Sequence, residues 1–338
     1  MKGIPLWKDD RIPTVETDMH RLPALLASFL GLACAMPAAA QTYPSRPIKA
    51  ITSVGPGGTS DIFIRLVGDE LHKRWGQPVI VEMRPGGNQT IGGRSCAEAA
   101  NDGYTICILP GETLSYNKFL YRKLPYDPES FEPITNAFFN TQVLVVQGSL
   151  KVKTLDELAA LSKARSKTLS YVAPGAPHAL FMEKWKAASG ADLVRVPFRA
   201  GTEAVNGVMS GVTPVAFFGI ANWLPHIREG TVVALAVEGP QRSPLLPDVP
   251  TLAELGYRGS MTYAYFGLVA PGGTPKPIIR QLRDEIASIG NDPDFRQKRM
   301  IDVGIVPIFN RPEEFARFLQ EDRAAAQRVV QESGLQPQ

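Results

Sequence analysis

The sequence predicts an α/β fold in which loops at the strand ends bind a ligand. Short apolar runs rich in β-branched residues recur along the chain, and residues 48–54 are the first. A loop containing glycine or proline follows most of these runs. A stretch with helical apolar spacing comes next, as in Phe63, Val67 and Leu71. This alternation is typical of parallel strands covered by helices.

The first strand–turn–helix unit spans residues 48–75. Its turn contains six residues that we assign to a ligand-binding loop: Pro56, Gly57, Gly58, Thr59, Ser60 and Asp61. Unpaired N–H groups at a helix start carry partial positive charge, and glycine lets a ligand approach the backbone. A side chain at Gly58 would block that approach and is not expected to reach the required φ. The loop predicts an anion site, with a plain turn as the alternative.

The next unit repeats the pattern. A strand over 78–83 precedes a second Pro-Gly-Gly turn, a helix over 90–100 and a strand over 104–109. Thr113 follows that last strand, where its hydroxyl could donate to a ligand or cap the turn. Ligands of open α/β sheets bind at the carboxyl ends of strands, so Thr113 is a candidate site residue.

The second half of the chain continues this alternation. Strands are predicted at 140–147, 169–173, 194–198, 215–218, 232–237 and 263–270, and helices close the chain over 276–290 and 312–333. The candidate residues here all follow strands: Gly175, Ala176, His178, Gly201, Thr202, Glu203 and Gly219. His178 contacts the ligand or makes a structural hydrogen bond, and Glu203 contacts it or complements the helix dipole.

Composition bounds the class of protein. The chain has 338 residues, of which 44% are hydrophobic and 20% charged, and its formal net charge is +3. These values are typical of a globular protein long enough for two domains. The weak, dispersed positive charge argues against a nucleic-acid partner.

The N-terminus predicts export. His20 and Arg21 precede an apolar run over 22–36, and small residues end at Ala40 in a pattern typical of signal-peptidase sites. We therefore interpret residues 1–40 as a signal peptide with cleavage near Ala40, and Met19 as the true translation start. Cys34 raises a lipoprotein alternative. Export of this kind predicts a periplasmic protein.

The polar residues predict neither a metal site nor catalysis. Cys96 and Cys107 are the two cysteines outside the leader, and they are either buried thiols or a disulfide between a helix and the next strand. The histidines after the leader are far apart, so no metal-ligand spacing and no cofactor are indicated. No Gly-x-Ser-x-Gly or His-Glu-x-x-His motif occurs, which favours a protein that is not an enzyme.

Several short motifs, taken in order, resemble one family. The chain is similar to the extracytoplasmic solute receptors of the tripartite tricarboxylate transporters, the Bug family. The motifs that carry the resemblance lie at residues 43–48, 56–61, 75–79, 84–87, 102–105, 124–127, 196–198, 224–227, 246–251 and 266–268.

The resemblance implies a type II periplasmic-binding-protein fold, with two domains around a ligand cleft and two crossing strands. Domain one would comprise residues 43–145 and 264–338, and domain two residues 146–263. The implied function is a monomeric receptor that captures a small organic carboxylate and delivers it to the membrane permease subunits of such a transporter. A secreted α/β enzyme, either a hydrolase or an isomerase, and a ligand sensor for a signalling partner are the alternatives.

The chain also departs from the family pattern. Pro177 removes an N–H donor just before His178. Arg199 stands where the family has lysine, and Gly219 where many members have aspartate. Without that aspartate an ammonium group lacks an obvious acceptor, so the ligand is expected not to be an α-amino acid, with Glu203 as the alternative acceptor. Phe218 and Trp223 then either line an apolar part of the ligand or pack in the core.

Overall fold

The structure is a computed structural model that describes residues 43–165, 168–173, 175–197, 201–239, 241–257 and 264–337. The predicted signal peptide over 1–40, its start at Met19 and its cleavage near Ala40 lie outside the described residues. So do Arg199 and the side chain of Thr202.

Eleven strands are found in the described ranges. In chain order they are β1 (Ile48–Thr52), β2 (Val79–Met83), β3 (Thr105–Pro110), β4 (Glu132–Asn140), β5 (Gln142–Gln147), β6 (Leu169–Val172), β7 (Leu193–Arg195), β8 (Val215–Gly219), β9 (Val232–Val237), β10 (Tyr265–Ala270) and β11 (Ile305–Pro307).

Nine α-helices accompany them in the same ranges. They are α1 (Thr59–Trp75), α2 (Thr90–Ala97), α3 (Asn117–Leu120), α4 (Leu155–Ala164), α5 (Ala176–Ser189), α6 (Gly201–Ser210), α7 (Leu224–Arg228), α8 (Lys276–Gly290) and α9 (Pro312–Glu332). A π-helical turn over Glu112–Tyr116 joins β3 to α3.

The strands form two sheets, in the orders β11-β4-β10-β3-β1-β2 and β7-β6-β8-β5-β9. The neighbours β2, β1 and β3 are parallel, as are β7, β6 and β8. The strands β10 and β5 are antiparallel to their neighbours. The predicted α/β class is confirmed, and both sheets are mixed because they contain antiparallel as well as parallel pairs.

The passage from the first sheet to the second occurs at Thr141. The strand predicted over 140–147 is divided there, because β4 ends at Asn140 and β5 begins at Gln142. The sequence interpretation missed β4, since Pro133 and two asparagines weaken its strand signal. The chain returns through β10. The assignment of domain boundaries at residues 145 and 264 stays a prediction.

Each sheet has its own apolar core. On the first sheet, α1 buries the predicted stripe of Phe63, Val67 and Leu71 against β1 and β3. On the second, α5 buries Phe181 and Trp185. These cores fix the helices, and therefore fix the positions of the loops at the strand ends.

A disulfide joins Cys96 in α2 to Cys107 in β3, with 6.1 Å between their Cα atoms. Of the two states that the sequence left open, the bonded one is found. The bond ties α2 to the strand beneath it, one turn after the glycines at the start of the helix.

Candidate functional site

Three loops at one edge of the first sheet contain buried polar atoms without partners. The strands β2, β1 and β3 are adjacent and parallel, so their carboxyl ends meet. Ser53 follows β1, Gln89 precedes α2 in the loop after β2, and Thr113 follows β3. Among the described residues, Ser53 Oγ, Gln89 Oε1 and Thr113 Oγ1 are buried and have no hydrogen-bond partner. Such groups are costly unless they are satisfied, which indicates a ligand or ordered water.

Two glycines of α2 bring Ser53 and Thr113 to the same helix. A Cβ atom on Gly92 would lie 2.4 Å from Ser53 Cβ, and one on Gly93 would lie 2.7 Å from Thr113 Cγ2. A larger residue at either position would push the helix away. The glycines therefore allow both hydroxyl-bearing residues to flank the first turns of α2.

Hydrogen bonds tie the second and third loops together. Asn88 Nδ2 donates to Asn117 Oδ1 at 3.1 Å, and Asn117 Nδ2 donates to the carbonyl of Asn88 at 3.0 Å. The Tyr126 hydroxyl donates to the carbonyl of Thr113 at 2.9 Å. Thr113 is therefore held through its carbonyl, while its hydroxyl is left for a ligand.

The first loop supplies an uncapped helix start. The helix α1 begins after Gly58, and no side chain caps it. The first N–H groups of a helix have no acceptor within the helix, which leaves those of Thr59, Ser60 and Asp61 to a ligand or solvent. Pro56 lies exposed in the turn before them.

The sequence argument about φ at Gly58 is wrong. Gly57 has the positive φ, +74°, whereas Gly58 has an ordinary φ of −69°. Gly58 is required for a different reason, because a Cβ there would lie 2.3 Å from Cγ1 of Val54. The loop needs glycine at both positions.

The side chains of Ser60 and Asp61 stabilise the loop itself. Ser60 Oγ lies 2.9 Å from Thr52 Oγ1. Asp61 Oδ2 accepts from the N–H of Gly57 at 3.0 Å, and Asp61 Oδ1 accepts from Arg65 Nε at 2.8 Å. These two residues therefore offer a ligand their backbone N–H groups rather than their side chains.

On the second sheet, His178 makes a structural hydrogen bond. It is buried in the first turn of α5, and its Nε2 lies 3.1 Å from Oε2 of the buried Glu238. Glu238 Oε1 also accepts from the N–H of Ala264 at 3.0 Å. Pro177 is the second residue of the same helix, as its lack of an N–H allows.

Glu112 connects the third loop, which contains Thr113, to the start of α5. A Cβ atom on Gly175 would lie 2.6 Å from both Glu112 Oε1 and His178 Nδ1, so both side chains approach the backbone of Gly175. Burial raises the pKa of Glu112, the attraction of His178 opposes the rise, and the charge of Glu238 adds to it. The turn containing Thr113 therefore meets the start of α5 at Gly175.

The remaining candidates are less closely connected. Gly219 ends β8, and a Cβ there would lie 3.2 Å from Asn140 Nδ2 and 3.4 Å from Asn222 Nδ2. Glu203 is exposed in the first turn of α6, which begins at Gly201, and Ala176 is half-buried. Trp223 is fully buried in a core cluster with Phe218 packed against it, so they do not supply an open apolar wall.

Sequence reasoning missed four residues of this region. Ser53, Gln89, Glu112 and Glu238 all lie shortly after strands, which is the signal that would have found them. Within the described ranges, no three His, Cys, Asp or Glu residues are positioned to hold a metal ion. No helix of those ranges is long and apolar enough to cross a membrane.

Comparison with known proteins gives consistent matches. The model of the family described as "Tripartite tricarboxylate transporter family receptor" matches residues 63–335. Protein BugT of Bordetella pertussis is 32% identical over 326 residues, covering 94% of this chain and 98% of BugT.

Solved structures agree with these matches. The structure of periplasmic binding protein BugD has a TM-score of 0.79 and 28% identity, covering 88% of this chain and 100% of BugD. A protein of R. palustris, solved with adipate, has a TM-score of 0.81 and 26% identity, covering 88% of this chain and 100% of that protein. The fold is therefore that of the periplasmic binding proteins, as the sequence predicts.

Proposed function

The chain belongs to the tripartite tricarboxylate transporter family of receptors, and from this premise we propose that it captures a small organic carboxylate in the periplasm. It delivers that ligand to the membrane permease subunits of a transporter. The protein acts as a monomer without a cofactor, and it returns its ligand chemically unchanged. Its leader over residues 1–40 directs export and is removed near Ala40.

One observation carries the proposal: the partnerless buried hydroxyls of Ser53 and Thr113 lie beside glycines at the start of α2. Hydroxyls can donate to carboxylate oxygens, and so can the free N–H groups at the start of α1. These donors come from adjacent strand ends, where ligands of open α/β sheets bind. The R. palustris protein solved with adipate supports a carboxylate as the ligand class.

The second sheet supplies the other side of the proposed site. Gly175, Ala176 and His178 meet the turn of Thr113 through Glu112, so a ligand beside Thr113 would contact both groups of loops. We assign ligand contact from this side also to Gly201, Thr202, Glu203 and Gly219.

A ligand panel tests this function. We expect carboxylates such as propionate, malate and adipate to raise the melting temperature. A ligand that binds only the folded state raises the free energy of unfolding by RT ln(1 + [L]/Kd). Matched amines and sugars serve as controls. Chromatography of the recovered ligand should find no product. Stabilisation by an amine or a sugar but by no carboxylate would contradict the proposal.

Export is tested separately. N-terminal sequencing of the protein recovered from the periplasm should begin at Gln41. A mature protein that retains residues 22–36 would contradict the predicted leader.

A further inference from the structure

A cavity of about 580 Å³ lies between elements of the two sheets. One wall is α5, which packs on the second sheet, and the other is formed by α3 and the end of α9, which belong to the first. Its volume falls within the usual range for small-molecule sites. An occupant would contact both halves of the fold.

The cavity is bordered by an apolar cluster that crosses between the sheets. Leu180 of α5 packs in one buried cluster with Tyr116 and Val330, and Phe119 and Val329 pack against that cluster. All of these except Tyr116 line the cavity. Burying apolar ligand surface here is favourable because that surface leaves water.

Two residues of the loops that carry the candidate site line the cavity. Ala176, the first residue of α5, lines it, and so does Asn88, which directly precedes Gln89. Asn88 belongs to the loop that also presents the buried Gln89 Oε1. A ligand held at the strand ends of the first sheet could therefore extend past Asn88 and Ala176 into this space.

Three of the four charged side chains on the wall already have a charged partner. Glu183 already accepts from Lys186 Nζ and from the hydroxyl of Tyr171. Lys184 pairs with Glu332 across the rim at 3.4 Å.

Arg195 is the exception on this wall. It donates to the carbonyl of Ala173 at 3.2 Å, and no carboxylate of the described residues forms an ion pair with it. A guanidinium without a carboxylate favours an anionic ligand and disfavours a cationic one.

From this arrangement we infer that the ligand is a carboxylate with an extended alkyl or aryl body, which lies in the cavity between α5 and α9. The inference rests on the proposed function and assigns the apolar half of the same site. The ligand's head binds at the ends of β1 and β3, and its body binds against Phe119, Leu180 and Val329. Those residues replace Phe218 and Trp223 as the candidates to line the apolar part.

Calorimetry with propionate, hexanoate and phenylacetate tests the inference. We expect hexanoate and phenylacetate to bind at least ten times more tightly than propionate, because each buried methylene is worth about fourfold in affinity. Val329→Trp fills the cavity and should remove this advantage, so that hexanoate and phenylacetate bind no more tightly than propionate. Val212→Trp, at an exposed residue, is the matched control and should leave the affinity for all three acids unchanged.

The outcomes separate this inference from the function on which it rests. If propionate binds and the larger acids bind no more tightly, the receptor function stands and the cavity assignment fails. If no carboxylate binds the unmodified protein, both fail. Equal weakening of all three acids by Val329→Trp, in a variant with unchanged circular dichroism, would also overturn the cavity assignment.

Discussion

His178 Nε2 and Glu238 Oε2 lie 3.1 Å apart, and both side chains are buried. The pair joins the start of α5 to the residue that follows β9. Glu238 also accepts the N–H of Ala264, which directly precedes β10. One carboxylate therefore connects the second sheet to the strand by which the chain returns to the first.

Removing that carboxylate should be costly. Glu238→Ala leaves the His178 imidazole and the Ala264 N–H buried without their acceptor, so we expect the free energy of unfolding to fall by about 3 kcal/mol. Denaturant unfolding measures the loss. Glu285→Ala, which breaks the exposed pair with Arg74, should cost less than about 1 kcal/mol. Equal losses in the two variants would contradict the role assigned to Glu238.

The protein should lose stability as pH rises above the acid range. Burial raises the pKa of Glu112 from its ordinary 4.5, and burial raises that of Asp322 from 3.8 to about 6. The folded protein then holds protons that the unfolded chain has released, so the free energy of unfolding falls between the ordinary and the raised pKa. Unfolding measured from about pH 4 to 8 should show this slope.

Glu112→Gln should reduce that slope and stabilise the protein at neutral pH. Glu82→Gln is the control, because a hydrogen bond from Lys49 and the neighbouring Arg84 lower the pKa of Glu82. Glu82 contributes to the free energy of unfolding above the ordinary carboxyl pKa. The control should therefore lower stability at neutral pH and keep the fall in stability with rising pH. An unchanged slope in Glu112→Gln would show that Glu112 does not carry it.

Reduction of the disulfide should destabilise the protein moderately. Cys96 and Cys107 are 11 residues apart, and closing a short loop is worth about 2–3 kcal/mol in the chain-entropy view. The double variant Cys96→Ala/Cys107→Ala should show this loss in denaturant unfolding. Mass spectrometry of the unreduced protein should find no free thiol at either position. Two free thiols would contradict the bonded state.

The sequence could predict the elements but not all of the site. The stripe of Phe63, Val67 and Leu71 and the glycine turn before it are local signals, so α1 and its loop follow from them. The strand β4 could not be predicted from local signals, because pairing with β10 stabilises it despite Pro133.

Burial and pairing decide the roles of the site residues. Ser60 and Asp61 were assigned to the ligand-binding loop, and the structure shows both side chains engaged within that loop. Ser53 and Thr113 matter because nothing in the described part of the fold satisfies their hydroxyls. That property depends on contacts between strands distant in sequence, which a single sequence does not reveal.

The most direct test of the account is the affinity of the double variant Ser53→Ala/Thr113→Val for the tightest-binding carboxylate of the panel. We predict a loss of about tenfold or more, because two donors to the ligand are removed, while the melting temperature without ligand holds or rises. Thr213→Val is the matched control, since Thr213 is also buried with a partnerless hydroxyl but precedes β8 on the second sheet. It should leave the affinity unchanged. Unchanged affinity in a folded Ser53→Ala/Thr113→Val variant would contradict a carboxylate site at this edge of the first sheet.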